Sequence, residues 1–211
     1  IANAYKYFPP RTVHLVIVDP GVGTQRRPIL VSGDQHYFVA PDNGVLSVVY
    51  DREPAVTVRH ITAEHYFLNP VSDTFHGRDI FAPVAAWLAK TSQSEVFGEP
   101  ISDYVRFTFP RAKPNGTALK GVVLRVDVFG NVVTNLTAED LPAAMVAAGK
   151  INLRIGNTQI EKLAQTFAQG AAGEPIAIVG SSGFIEVAVN KGHAARTLGA
   201  QRGTEVTLEL A

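Results

Sequence analysis

The chain has 211 residues, enough for one large domain or two small ones, and its nineteen acidic residues balance nineteen basic ones. This zero net charge argues against partners held by overall electrostatic attraction, such as nucleic acid or an anionic membrane. The sequence has no cysteine, which excludes disulfides and thiolate chemistry, and no apolar run approaches the roughly 20 residues that span a bilayer.

The first half of the chain predicts alternating strands and helices. Thr12–Asp19 is an apolar, β-branched run that ends at a turn, which is typical of a strand buried on both faces of an α/β sheet. Further strands are predicted in PILVSG, HYFVAPDNG and AVTVRHI. One helix is predicted in NGVLSVVYDRE, and a second over Asp79–Lys90, where apolar residues recur at helical spacing.

A change of composition divides the chain after residue 108. The next segment contains two prolines and an Asn-Gly pair, which indicates a linker. Beyond it, short strands alternate with glycine-rich turns, and only short helices intervene. We predict an α/β domain with a mostly buried central sheet over residues 1–108, a linker over 109–118 and a smaller β-barrel-like domain over 119–211.

The stretch VIVDPGVGTQRRP (Val16–Pro28) is the first that could carry chemistry. A phosphate-binding loop of the P-loop type would need Lys-Ser or Lys-Thr after its second glycine, whereas two arginines and a proline follow here. Asp19 ends the predicted strand, where open α/β sheets bind their ligands. A buried carboxylate needs a partner, and Arg26 could supply one across the turn. A plain turn with solvated arginines is the alternative.

The stretch DTFHGRD precedes the second predicted helix. His76 is well placed in a cleft there, although a helix-capping loop with Asp79 as the N-cap is the favoured explanation of this stretch taken alone. A metal site built from His76, Asp79, Asp73 and Asp19 is a third reading. No His-x-x-x-His or His-Glu-x-x-His spacing supports it.

Two stretches of the β-rich half are also chemically suggestive. DVFGNVVTN combines an aromatic ring, which can stack on a flat base, with amides that can read its edge. Its alternative is an ordinary β-turn. GSSGFIEVAVNKG has the pattern of a hairpin. The other histidines, including His193, indicate no role.

Five segments, in this order, resemble the S-adenosylmethionine (SAM) hydroxide adenosyltransferases, whose relatives are the fluorinases and chlorinases. The segments are VHLVIVDPGVGTQRRP, FVAPDNGVLS, TFHGRDIFAPVAA, DVFGNVVTNL and SSGFIEVAVNKGHAA. Each motif alone is weak evidence, but five in register across almost the whole chain are specific.

The resemblance implies hydrolysis of SAM to adenosine and L-methionine, with water or hydroxide attacking C5′ in line with the sulfonium. By motif position, the family's Asp-Arg-His trio falls on Asp19, Arg26 and His76, with Arg27 as the competitor to Arg26. The halogenating branch carries tyrosine in place of the aspartate, and a Tyr-Ser or Tyr-Gly pair in place of His76-Gly77. This sequence therefore sides with hydrolysis.

The resemblance also implies a substrate-binding set. Asp127 would bind the methionine amino group, Phe129 would lie against the adenine and Asn131 would read its edge. The remaining members are Phe75 beside the reacting carbon, Phe167 over the adenine, and Ser181, Glu186 and Asn190 near the methionine carboxylate.

SAM is the substrate in this interpretation, and neither a cofactor nor a metal ion is expected. The resemblance implies a homotrimer, with each site formed between one subunit's α/β domain and its neighbour's barrel. We also expect a cytoplasmic location. Family members begin with a short strand bearing a Thr-Asp-Phe-Gly-like motif that contacts the ribose, and this sequence begins after it. The alternatives are a SAM-dependent halogenase, a binding module for adenosine or SAM without turnover, and a metallohydrolase.

Overall fold

The computed structural model describes residues 1–210 and divides after Thr108 into two units. The first unit is built on a mixed four-stranded sheet, in the order β1-β3-β2-β4. Its strands are β1 (Val13–Leu15), β2 (Pro28–Ser32), β3 (Tyr37–Pro41) and β4 (Thr57–His60). β1 runs parallel to β3, whereas β2 is antiparallel to both β3 and β4.

The two central strands are buried on both faces, as their continuous apolar sequences predict. Three or more consecutive residues are buried in each of β2 and β3. One face of the sheet packs with α1 (Ser47–Arg52), through Phe38 and Val49. The other face packs with α2 (Ala82–Thr91), through Leu30 and Leu88.

The first strand is shorter than the sequence predicts. Only Val13–Leu15 has strand geometry, and Ile17 and Val18 are exposed, so the expectation of a strand buried on both faces through Asp19 is wrong. The physical reason is position, because β1 lies at the edge of the sheet and pairs only with β3 among the described strands. The chain beyond it continues as a loop towards Asp19.

The second predicted helix begins differently from the prediction. A π-helical turn, Gly77–Phe81, precedes α2, and its Phe81 and the α2 residue Val84 are fully buried. π-helical turns are rare and occur often at functional sites. Three 3₁₀ turns complete the unit: Tyr5–Tyr7, Glu64–Tyr66 and Ser94–Phe97.

The second unit is a closed seven-stranded β-barrel. The strands of this unit, all of which except β5 form the barrel, are β5 (Lys113–Asn115), β6 (Ala118–Val126), β7 (Val132–Thr137), β8 (Lys150–Ile155), β9 (Thr158–Ala164), β10 (Pro175–Val179), β11 (Phe184–Val189) and β12 (Glu205–Glu209). The barrel runs β6-β7-β11-β10-β9-β8-β12 and back to β6, while β5 pairs with the outer edge of β6. β5 falls inside the segment whose composition indicates a linker. Closure removes the exposed edges that an open sheet would leave.

The β6 strand closes the barrel by pairing with two partners along its length. Residues 118–122 pair with β12, and residues 123–126 pair with β7. Leu136, Leu153 and Val187 are among the fully buried side chains of the barrel interior. The helices are short: α3 (Ala143–Ala148), α4 (Ala194–Leu198) and the 3₁₀ turns Ala138–Asp140 and Phe167–Gln169.

Among residues 1–210, none of the helices combines the length and the apolar character that a membrane crossing requires.

Candidate active site

Three side chains predicted from two motifs meet in the first unit. Asp19 follows β1, Arg26 precedes β2 and His76 precedes the π-helical turn. Nε of Arg26 donates to Oδ1 of Asp19 at 3.0 Å, and Nη2 donates to Oδ2 at 2.5 Å. The same Nη2 lies 3.1 Å from Nδ1 of His76. The side chains of Asp19 and Arg26 are each only 6% exposed, so the ion pair is almost entirely removed from water.

The contact with Arg26 fixes which nitrogen of His76 accepts a hydrogen bond. A guanidinium has donors and no acceptor, so Nδ1 of His76 must be the acceptor. The neutral ring then carries its proton on Nε2. In this arrangement His76 offers a second N–H donor beside the guanidinium.

Arg26 also keeps one donor unused. Its Nη1 is buried and has no hydrogen-bond partner among residues 1–210. Its guanidinium carbon lies 5.1 Å from the centre of the Phe81 ring. A buried N–H without a partner costs about 1–3 kcal/mol of stability, so such groups are expected to bind water or a ligand. Nη1 is therefore a ready contact for an oxygen atom.

The loop that carries Arg26 packs directly on the segment before His76. Gly23 has a φ of +76°, and a Cβ there would collide with the backbone carbonyl of Asp73. The hydroxyl of Thr24 donates to the carbonyl of Gly21 at 2.7 Å and accepts the Arg26 backbone N–H at 3.3 Å. Only glycine permits this close approach of the two loops without strain.

Asp79 holds the other end of the His76 loop. Its buried carboxylate accepts the backbone N–H of Ser72 at 2.8 Å and Nε of Arg78 at 2.6 Å. The hydrogen bonds from Arg78, followed by that from Ser72, hold the pKa of Asp79 well below its ordinary value. Asp79 therefore does not act as the helix N-cap that the sequence suggests, because it lies inside the π-helical turn and reaches back to the loop.

In the barrel unit, Asp127 organises a tight turn between β6 and β7. Its Oδ1 accepts the backbone N–H groups of Phe129 and Asn131 at 2.9 Å each, and its Oδ2 accepts the Asn131 side-chain amide at 2.9 Å. Burial alone would raise the pKa of Asp127, but these donors outweigh it and lower the pKa. The turn leaves the Phe129 ring 75% exposed.

Two family models match the chain. The SAM hydroxide adenosyltransferase N-terminal domain matches residues 1–98, and the C-terminal domain of the same family matches residues 121–207. The chain belongs to the SAM hydroxide adenosyltransferase family. The resemblance carried by the five sequence motifs is confirmed.

The relatives agree with this assignment. A protein from Salinispora tropica named (R)-S-adenosyl-L-methionine hydrolase is 37% identical over 209 residues, which cover 96% of this chain and 76% of the relative. A protein of the same name from Thermus thermophilus is 34% identical over 98% of this chain and 79% of the relative. A fluorinase from Actinopolyspora mzabensis is 28% identical over 98% of this chain and 79% of its own length.

A crystal structure of an uncharacterized conserved protein from Thermotoga maritima has the same fold. It superposes with a TM-score of 0.85 at 36% identity, covering 98% of this chain and 80% of that one.

In this member of the family, Arg27 binds partners that differ from those of Arg26. Its Nε and Nη2 donate to Oδ2 of Asp42 at 3.0 and 2.8 Å, and its Nη1 donates to Asp103 at 2.8 Å. The second carboxylate oxygen of Asp42 accepts the Val105 N–H at 2.8 Å. Of the two neighbouring arginines, Arg26 is the one that contacts Asp19 and His76.

The remaining predicted residues of the barrel unit lie in two places. Glu186 packs against Gly180 in the turn that carries Ser181. Burial raises the pKa of Glu186, Arg125 partly offsets that effect and Asp127 adds to it. In the same turn, the buried hydroxyl of Ser182 has no partner among residues 1–210.

The second place is the loop that carries the half-exposed ring of Phe167. The side-chain amide of Asn190 donates to the carbonyl of Gly170 at 2.7 Å, which ties this loop to the end of β11. Phe75, in the first unit, is exposed and lies 5.1 Å from the guanidinium of Arg78. No three His, Cys, Asp or Glu residues among residues 1–210 gather as a metal site would require, so the grouping of His76 with Asp73, Asp79 and Asp19 is not formed.

Sequence reasoning assigned no role, or a different role, to three residues that shape these sites. Asp42 binds Arg27, and Asp79 anchors the His76 loop. His193 packs its ring on Gly130, inside the Asp127 turn. All three fall within the motifs quoted above, but their roles depend on contacts that the motifs do not specify.

Proposed function

We propose that this chain hydrolyses SAM to adenosine and L-methionine by in-line attack of hydroxide or water at C5′. The observation that carries the proposal is the buried Asp19–Arg26 ion pair in contact with His76, in which Nη1 of Arg26 is a donor without a partner among residues 1–210. The names of the hydrolase relatives support the choice of substrate and reaction.

The chemistry needs a good nucleophile more than a good acid. The C5′–O bond forms as the C5′–S bond breaks, and the electron pair leaves with the methionine sulfur as a neutral thioether. With hydroxide as the nucleophile, its charge cancels that of the sulfonium and no proton has to reach the leaving group. Bulk water has a pKa of about 15.7, so the site must favour a hydroxide-like oxygen.

The cluster is suited to that task. Arg26 would hold the nucleophile through Nη1, where its charge stabilises a negative oxygen in a water-poor site. His76, with its proton on Nε2, would add a second donor that stabilises the same oxygen. Asp19 would fix the guanidinium plane by its two-point contact. Alignment of the oxygen with C5′ and sulfur then supplies much of the rate.

The substrate would be held by the predicted binding set. An anionic Asp127 suits the methionine ammonium, and the exposed rings of Phe129 and Phe167 are available to stack on adenine. Asn131 would read the adenine edge, and Phe75 would wall the reacting carbon. Ser181, Glu186 and Asn190 would lie around the methionine carboxylate. SAM enters as substrate, and no cofactor takes part in the proposed step.

The test is product analysis in H₂¹⁸O with halide-free buffer. The expected products are methionine and adenosine labelled at the 5′ oxygen, unaffected by a chelator. His76→Ala is expected to lower kcat more than it raises KM. Label in homoserine would instead indicate attack on the methionine side chain. Formation of 5′-chloro- or 5′-fluoro-5′-deoxyadenosine on addition of halide would favour the halogenase alternative, and tight SAM binding without methionine release would favour a binding module.

The oligomeric state is part of the same proposal. We expect a homotrimer, as the resemblance implies, and light scattering at enzyme concentrations that support turnover measures it directly. A monomer that hydrolyses SAM at full rate would contradict the trimer and leave the chemistry standing.

A further inference from the structure

The Asp127 turn is supported from outside by the start of α4. The backbone N–H of Ala195 donates to the carbonyl of Gly130 at 2.9 Å. The imidazole of His193 lies so close to Gly130 that a Cβ there would overlap the ring. Gly130 has a φ of +88°, a conformation that also favours glycine. Gly130 is thus fixed by a hydrogen bond to its carbonyl and by a ring against its Cα.

His193 also determines where α4 begins. It is the N-cap residue, and its Nδ1 accepts the backbone N–H of Arg196 at 3.3 Å. This bond satisfies one of the otherwise unpaired donors of the first helical turn. Because Ala195 lies in that turn, the cap also places the N–H that binds Gly130. One imidazole therefore serves both contacts with the turn.

The turn has little packing of its own at its tip. The side chains of Val128 and Phe129 are exposed, and the internal hydrogen bonds to Asp127 order the turn without tying it to the rest of the barrel. The support at Gly130 is therefore the contact that holds the tip of the turn against α4. Displacement of Gly130 would move the Phe129 ring and the two N–H groups that Asp127 binds.

We propose that His193 is a positioning residue for substrate binding, which sets the Asp127–Asn131 turn through the cap of α4 and the contact of its ring with Gly130. The inference rests on the proposed function for what the turn binds. Serine, threonine, aspartate and asparagine are the usual N-cap residues, and their short side chains provide the cap without an aromatic ring. Histidine combines an acceptor with a flat face.

The kinetic test compares His193→Ala with His193→Asn. The alanine variant loses both contacts, and we expect its KM for SAM to rise about fivefold, which corresponds to the roughly 1 kcal/mol of a lost cap, with kcat within about twofold of the parent. The asparagine variant keeps a capping acceptor, so its KM should lie between those of the parent and the alanine variant. Arg196→Ala is the matched control, since it changes an exposed side chain of the same helix and keeps the capped N–H; its KM should be unchanged.

A second readout does not depend on turnover. Hydrogen exchange of the Phe129 and Asn131 amides, both bonded to Asp127, should be faster in His193→Ala, while the amides of core residues such as Leu153 and Val187 keep their protection. If the parent protein failed to hydrolyse SAM, the proposed function would fall, and the exchange experiment would still judge His193. Unchanged exchange at the turn, an alanine variant with the parental KM, or a loss confined to kcat would overturn the positioning role.

Discussion

Asp19 and Arg26 form a two-point ion pair, with Nε to Oδ1 at 3.0 Å and Nη2 to Oδ2 at 2.5 Å, that is almost closed to solvent. The pair holds the guanidinium in one plane and leaves Nη1 unpartnered. Arg27, the next residue, binds Asp42 and Asp103 instead. Two adjacent residues of the same type are thereby given different tasks.

This division predicts that lysine lowers kcat at position 26 and stability at position 27. Arg26→Lys removes the planar fork and the Nη1 donor, and kcat should fall by about 10²–10³-fold, as for the loss of a donor to a reacting oxygen. Arg27→Lys should keep kcat within about twofold and lower the free energy of unfolding by about 2–3 kcal/mol, because Asp42 is left buried with a poorer partner. Steady-state kinetics of both variants measure kcat, and urea unfolding measures their free energy of unfolding.

Each variant is the control for the other, since both exchange one cation for another at neighbouring positions. If Arg27→Lys lost turnover while Arg26→Lys stayed active, the catalytic role would belong to Arg27 and the structural role to Arg26. The proposed nucleophile site at Nη1 of Arg26 would then have no basis.

The resemblance of the motifs to the family was enough to assign the trio to Asp19, Arg26 and His76, with Arg27 as the competitor to Arg26. The motifs alone do not show which of the two arginines contacts His76. Adjacent residues in an extended segment point to opposite sides, and only the tertiary structure decides which side faces His76.

The misjudged length of β1 has a similar origin. Apolar periodicity reports which residues are hydrophobic, and it does not report that Ile17 and Val18 would lie past the end of an edge strand. His193 was passed over because its role arises from a contact with Gly130, a residue distant in the chain. A β-barrel-like domain was predicted and is confirmed, but its closure depends on β6 pairing with both β7 and β12, which no local pattern encodes.

Gly23→Ala tests whether the contact between the two loops matters for catalysis. Alanine at position 23 would be held in a disfavoured backbone conformation, and its Cβ would meet the carbonyl of Asp73. We therefore expect a loss of at least about 2 kcal/mol of stability and a lower kcat. Gly116→Ala is the control, because its φ is also positive while nothing lies within 4 Å. Thermal unfolding and kinetics should separate the two variants. Equal stability loss and unchanged kcat in both would mean that the Asp73 contact is dispensable.

The buried pair His14 and His36 predicts a pH dependence of stability in the first unit. Nε2 of His14 lies 3.4 Å from Nδ1 of His36, and burial, followed by the neighbouring imidazole, lowers the pKa of His14 from 6.5. The unfolded chain therefore binds this proton more readily, so the contribution to stability is present above pH 6.5 and is lost as the pH falls through the lowered folded-state pKa.

Thermal unfolding measured from about pH 7.5 to about pH 5 should show this loss, and His14→Phe should reduce its slope, because the ring of His14 already stacks on Phe38. His65→Phe, at a histidine outside the buried pair, is the control. Parallel stability curves for the parent protein and His14→Phe would assign the acid sensitivity to other groups.

Glu186 predicts the opposite dependence on pH in the barrel. Burial raises its pKa above 4.5, so the folded state holds the proton more tightly than the unfolded chain does. The contribution of Glu186 to stability is then greatest below pH 4.5 and falls as the pH rises through the folded-state pKa, where the partly buried carboxylate becomes charged. Glu186→Gln keeps the shape and removes the charge, so it should raise the melting temperature at neutral pH and leave it unchanged in acid.

Glu174→Gln, at an exposed position before β10, is the control and should have no effect at either pH. If Glu186→Gln lowered the melting temperature at neutral pH, attraction to Arg125 would outweigh the cost of burial. Glu186 would then be anionic through a stabilising ion pair, and its proximity to Asp127 would leave two negative charges beside the turn that we expect to bind the methionine ammonium.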